Sequence, residues 1–192
     1  MAKIENKKVW KPLSLSVPLS GTKAIYEGGV ITIEGPKGSV SKKLRYPGIS
    51  FKVEGDEVVI STEKFDKNKR KNMFTYEAHI KNLVKGVTEG FTYKLAVVYA
   101  KFPVTVELKG DVFTVKNLLG EKVPRTCKVY PDVKVEIKGK DITITGIDKE
   151  RTGQMAAMIE QLTRINHLDR RVIQDGIYIT AKPHRVYTEG SN

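Results

Sequence analysis

The sequence predicts an α+β protein made of two similar tandem domains, each a mostly antiparallel sheet with one helix packed on one face. Three observations lead there: a run of strand-like segments that occurs twice, a single helical pattern closing each run, and a length of 192 residues that suits two small cores. The stretch Val30-Ile31-Thr32-Ile33 followed by Gly38 is echoed by Val112-Phe113-Thr114-Val115 followed by Gly120, an offset of 82 residues. Val53, Gly55, Val58 and Ile60 find counterparts in Val135, Gly139, Ile142 and Ile144 after a two-residue insertion, and Asp66-Lys67 matches Asp148-Lys149. Each copy then carries a helical pattern, with Ile80 and Leu83 or Ile159 and Leu162. A glycine and a strand start follow: Gly90-Phe91-Thr92-Tyr93 in one copy, Gly176-Ile177-Tyr178-Ile179 in the other. Solenoid units run to about 20–50 residues, so a repeat this long is a domain with its own core.

The resulting division is an N-terminal arm at 1–12, a first repeat at 13–98, a second at 99–182 and a basic-to-polar tail at 183–192. In the arm, Trp10 reads as an aromatic packed on the first domain. In the first repeat, Val30, Thr32 and Glu34 alternate with Ile31 and Ile33, Gly35-Pro36-Lys37-Gly38 is a turn, and Phe51, Val53, Val58 and Ile60 flank a Gly55-Asp56 hairpin. Met73, Tyr76, Ile80, Leu83, Val84 and Val87 recur three or four apart and make one helix face, with Gly86 and Gly90 as its stop signals. His79 lies at the edge of that face as a packing or capping histidine. In the second repeat strands are expected around Val104 to Leu108, Val112 to Val115, Lys122 to Val129, Val133 to Ile137 and Ile142 to Thr145. Its helix buries Met155, Met158, Ile159, Leu162 and Ile165.

Composition narrows the function. Lys and Arg number 34 against 22 Asp and Glu, a net charge of +12, so the default partner is a polyanion, with nucleic acid first. The single cysteine, Cys127, excludes a disulfide framework and reads as a small buried residue in a strand. No apolar run approaches the ~20 residues of a membrane span, and the N-terminal residues lack the apolar core of a signal peptide, which predicts a cytoplasmic protein. Phosphate-loop, dinucleotide, nucleophile-elbow and zinc-protease motifs are absent, and His79, His167 and His184 stand too far apart for a helical metal pair. No catalytic residue, metal or cofactor is expected.

What remains is the placement of cations. Lys64, Lys67, Lys69, Arg70 and Lys71 crowd the strand-to-helix junction of the first copy, and Lys149 and Arg151 hold the same junction in the second. A helix N-terminus offers free N–H groups, so cations there point to phosphate contact. A second basic set, Arg164, His167, Arg170, Arg171, Lys182, His184 and Arg185, follows the second helix and flanks the last strand, as a positioned group suited to folded RNA. Lys122 and Arg125 complete the candidates.

Several of these runs resemble a known family. Gly86-Val87-Thr88-Glu89-Gly90-Phe91-Thr92-Tyr93-Lys94, Val98-Tyr99-Ala100-Lys101-Phe102-Pro103 and Asn117-Leu118-Leu119-Gly120-Glu121-Lys122 are similar to the archaeal and eukaryotic branch of the universal large-subunit ribosomal protein L-six family, called L-nine in eukaryotes. So is the C-terminal signature, here Gln161, Ile165, Arg171, Asp175-Gly176-Ile177-Tyr178-Ile179 and Lys182, with Leu168 in place of a base and Ile173 in place of Phe. The resemblance spans about residues 13 to 185 and implies a structural constituent of the large ribosomal subunit, bound to rRNA near the sarcin-ricin loop and the stalk base. Neighbouring large-subunit and stalk-base proteins are the implied partners, with translational GTPases nearby and neither membrane nor DNA. It places the main rRNA contacts in the second repeat, on Lys149, Arg151, Arg164, Arg170, Arg171 and Lys182, and His167, His184 and Arg185 of the basic set above stand beside them as candidates. Lys69, Arg70, Lys71, Lys122 and Arg125 become secondary candidates. The alternatives are a free-standing RNA-binding or ribosome-assembly factor and, more remotely, an enzyme working through Cys127.

Overall fold

The computed structural model describes residues 13–63, 66–166, 168–169 and 171–186. The N-terminal arm with Trp10, the residues Lys64, His167 and Arg170, the side chains of Arg185 and Val186, and positions 187–192 lie outside the described residues. The chain divides into two compact units, residues 1–88 and 89–192.

In the first unit β1 (Leu13–Pro18), β2 (Lys23–Glu27), β3 (Val30–Gly35), β4 (Gly38–Lys43), β5 (Ser50–Glu54) and β6 (Glu57–Thr62) precede helix α1 (Lys67–Thr88). They form two antiparallel sheets, ordered β1-β6-β5 and β2-β3-β4. The β2–β3 hairpin turns on Gly28 and Gly29, both in the left-handed region at φ 59° and 85°, which side chains resist and a tight two-residue hairpin requires. Strand alternation buries Ile31 and Ile33 on β3 and Val58 and Ile60 on β6. Onto these α1 lays Met73, Ile80, Leu83, Val84 and Val87, touching β1 and β6 of one sheet and β3 and β4 of the other.

The helix is longer than its apolar periodicity. Residues 67–72 carry no hydrophobic side chain, so the sequence pattern registers only from Met73, yet the helix starts at Lys67 and runs through Gly86, which is buried inside it. The C-terminal end is held by the β3–β4 turn, where the backbone N–H of Lys37 donates to the Val87 carbonyl at 3.0 Å. A Cβ on Gly35 would lie 2.7 Å from Val87 Cγ2 and 3.0 Å from the Val87 carbonyl oxygen. Gly35→Ala is therefore expected to destabilise the first unit by about 1–3 kcal/mol through overpacking, read as a lower urea midpoint with unchanged slope.

The second unit comprises β7 (Phe91–Val98), β8 (Thr105–Lys109), β9 (Val112–Lys116), a short turn of 3-10 helix at Leu118–Gly120, β10 (Arg125–Lys128), β11 (Val133–Lys138), β12 (Asp141–Gly146), α2 (Lys149–Leu162), β13 (Gly176–Lys182) and β14 (Arg185–Val186). Its sheets are ordered β11-β12-β7-β13-β14 and β10-β9-β8. Phe91, Leu95, Phe113, Val115, Ile142, Ile144, Met155, Ala156, Ile159 and Ile177 meet in one core.

Two boundaries differ from the sequence reading. β7 was expected to end the first repeat, but it lies between β12 and β13 in the sheet of the second unit, so the division falls ten residues before Tyr99. In the second unit it takes the place of β1, pairing with the strand just before the helix as β1 pairs with β6. The tail expected to begin at 183 also starts within the fold, because β14 pairs Val186 with Ala181 and Arg185 with Lys182.

Candidate nucleic-acid interface

The cations singled out in the second unit gather at the two ends of α2, which its 14 residues set about 20 Å apart. At the N-terminal end the helix is capped from within. Asp148 accepts the Glu150 N–H at 2.9 Å, the Thr152 hydroxyl donates to the Asp148 carbonyl at 2.6 Å, and Glu150 adds an acid to the first turn. At α1 the Lys67 N–H likewise donates to Asp66 Oδ1 at 2.7 Å. Phosphate on bare helix amides, expected from the sequence, thus meets a carboxylate at both sites.

The basic side chains near the start of α2 come from two elements. Lys149 Nζ lies 3.1 Å from His184 Nε2, an acceptor in the neutral ring, and 5.9 Å from the centroid of the Phe91 ring. Lys182 projects near Tyr93, whose phenol is pushed up by burial and drawn partly back by that ammonium. The backbone of Arg185 pairs with Lys182 in the same hairpin. Arg151, by contrast, is ion-paired to Asp132 with Asp148 at 4.0 Å, which offsets its charge.

At the other end Arg164 is exposed, and its guanidinium has no hydrogen-bond or ion-pair partner among the described residues. Arg125, one of the secondary candidates for RNA contact, has a structural task. Its Nη1 donates to the carbonyls of Leu162 and Arg164 at 2.9 and 3.0 Å, capping the end of α2. Its Nε and Nη2 grip Glu121, holding that carboxyl below the usual range. Lys122 is exposed beside it. Arg171 folds back on Asp169 through its backbone N–H, Nε and Nη2, and this lowers the Asp169 pKa. The loop around it shows Leu168 and Val172, the latter 80% exposed.

In the first unit the N-terminal turns of α1 present Lys69, Arg70 and Lys71, with no acid on the helix before Glu77. Lys69 is half-buried against Gly48, and the Arg70 guanidinium sits 5.8 Å over the ring of Phe74, which is 45% exposed. Phe74 is absent from the sequence-based candidates, although its i+4 spacing from Arg70 is a usable signal.

The family model described as Ribosomal protein L6 matches residues 20–90 and 102–176, most of both units. The chain belongs to the ribosomal protein L6 family. Similar proteins include the Large ribosomal subunit protein uL6 of Haloarcula marismortui, 48% identical over 81% of this chain and 87% of the relative. Those of Methanocella arvoryzae and Methanococcus vannielii are 43% and 40% identical over 90% and 91% of this chain and 97% and 92% of the relatives. The L6 family is one of structural ribosomal proteins, not enzymes. Cys127 suits a structural part: it sits half-buried on β10 against the core of the second unit, and burial pushes its thiol pKa up, the reverse of an activated nucleophile. His79 is bonded through Nδ1 to Lys42 Nζ at 3.1 Å. Among the described residues no group of three or more His, Cys, Asp or Glu side chains could hold a metal, and no helix is long and apolar enough to cross a membrane.

Proposed function

We propose that this chain is a structural constituent of the large ribosomal subunit, held on its rRNA mainly by the second unit, beside the sarcin-ricin loop and the stalk base. There it braces the region where translational GTPases dock, among neighbouring large-subunit and stalk-base proteins. The carrying observation is membership in the L6 family across both units, with relatives named as large-subunit proteins. The net charge of +12 fits an rRNA partner. Lys149 on the first turn of α2 and Lys182 near Tyr93 are the cations of the second unit that this reading assigns to phosphates, while Arg151, Arg125 and Arg171 are engaged by carboxylates. Cations so placed reach phosphate and 2′-OH groups of folded RNA and select it by shape.

Replacing Lys149 and Lys182 together with Ala is expected to weaken binding to the cognate large-subunit rRNA fragment. The slope of log K against log salt should flatten by somewhat under one unit for every phosphate that no longer has a cation beside it. The paired control is the double change Lys69→Ala and Arg70→Ala, expected to cost less although the charge there is denser. A larger loss of affinity from the first-unit pair would overturn the assignment to the second unit.

A further inference from the structure

Between the C-terminal end of α2 and the start of β13 lies a cavity of about 250 Å³, lined by Glu160, Arg164, Ile165, Asp175, Ile177 and Tyr178 among others. We propose that this cavity receives a single guanine base unstacked from RNA. The inference rests on the reading of the chain as an RNA-bound protein and specifies a contact that phosphate binding does not provide.

The walls are fixed before any ligand arrives. The Thr163 hydroxyl accepts the Ile177 N–H at 2.9 Å and donates to the Glu160 carbonyl at 3.1 Å, tying helix to strand. Glu160 Oε1 accepts the Ile179 N–H at 3.1 Å, and Asp175 Oδ1 accepts the Ala100 N–H at 2.9 Å. Arg125 secures the same segment through the Leu162 and Arg164 carbonyls. A site ordered in this way gives up little conformational freedom on binding.

Charge selects the ligand. Two carboxylates line the cavity of a strongly basic protein, which repels phosphate from this one place and calls for N–H donors. Asp175 is only 5% exposed, and no described residue donates to the second oxygen of its carboxylate or of Glu160. Carboxylates accept the ring N–H and exocyclic amine of a base edge, while the Arg164 guanidinium supplies donors for O6 and N7. Guanine carries adjacent donors and adjacent acceptors on one ring system, and so answers both. Ile165, Ile177 and the Tyr178 ring give apolar surface for its faces. The volume lies just under the ~300–1,000 Å³ of sites for drug-sized ligands, as suits one bicyclic base.

The test follows backbone amides of the full chain by NMR during titration with three pentaribonucleotides: adenosines flanking a central guanosine, the same with central inosine, which lacks the exocyclic amine, and all adenosine. The guanosine oligomer is expected to shift the Thr163, Ile177 and Tyr178 amides and to bind roughly tenfold or more tightly than the adenosine oligomer, with inosine between. Glu160→Gln, which keeps an oxygen for the Ile179 N–H, should erase that preference, and inorganic phosphate should leave these amides unmoved. Equal binding of the three oligomers, or shifts with free guanosine monophosphate but none with the RNA, would overturn the proposal. If the preference is absent while the rRNA fragment still binds with its salt dependence, this inference alone fails. Absence of both would sink the rRNA reading as well.

Discussion

A fragment beginning at Glu89 is expected to unfold cooperatively on its own, whereas one beginning at Tyr99 is expected to stay unfolded. The difference is β7. It is hydrogen-bonded on one side to β12 and on the other to β13, and it buries Phe91, Tyr93, Leu95 and Val97. Burying such side chains contributes about 1.5–3 kcal/mol each, so removing four forfeits roughly 6–12 kcal/mol. That is comparable to the roughly 5–15 kcal/mol that holds a small domain together. Urea titration of both fragments by circular dichroism checks it. A sharp transition in the shorter fragment would mean that β12 and β13 hold the sheet without their shared neighbour.

Phe113→Ala is expected to be the most damaging single truncation in the second unit. Phe113 on β9 is fully buried in the core that α2 and both sheets of that unit share. Its deletion should cost about 3–5 kcal/mol, because the forfeited transfer energy is compounded by a cavity the close-packed neighbours cannot fill. Amides of β7, β12 and β13 should lose hydrogen-exchange protection by the corresponding factor. Those of α1 and β3, in the other unit with its own core, should keep theirs. Uniform loss of protection across both units would show one cooperative structure instead of two. Lys122→Ala, at an exposed position, supplies the reference within about 0.5 kcal/mol of no effect.

The duplication, the hairpins at Gly35–Gly38 and Gly55-Asp56 and the buried face of α1 were legible because each is written in local spacing. What escaped depends on long-range pairing. β7 follows α1 much as β13 follows α2, so sequence analogy equates them, yet the two strands lie side by side in one sheet. Alternating Phe91, Tyr93, Leu95 and Val97 announce a strand and not its partners. The antiparallel strands of each unit form two ladders, and strand signals do not say where one ladder ends and the next begins. The start of α1 stays hidden because lysines without apolar neighbours have helix propensity but no periodicity.

The candidate interface was legible as a set of charges and illegible as a geometry. Lys149 and His184 are 35 residues apart and meet only through the β13–β14 turn. Arg125 reads as a free cation because the carbonyls it caps lie 37 and 39 residues further on. The aspartates that occupy the helix starts are in plain view at positions 66 and 148, and the N-cap preference is the signal that finds them. The cavity beside β13 has no sequence signature at all, being made by the packing of a helix end on a strand start.

The central claim, that the chain is a lasting component of the large ribosomal subunit, is tested most directly by sedimenting salt-washed ribosomes from an archaeal host that carries a tagged copy. A structural constituent held by many phosphate contacts and by shape should remain with the large subunit through a high-salt sucrose gradient that strips transient factors. Recovery of the tagged chain at the top of that gradient, with large subunits sedimenting normally without it, would contradict the account.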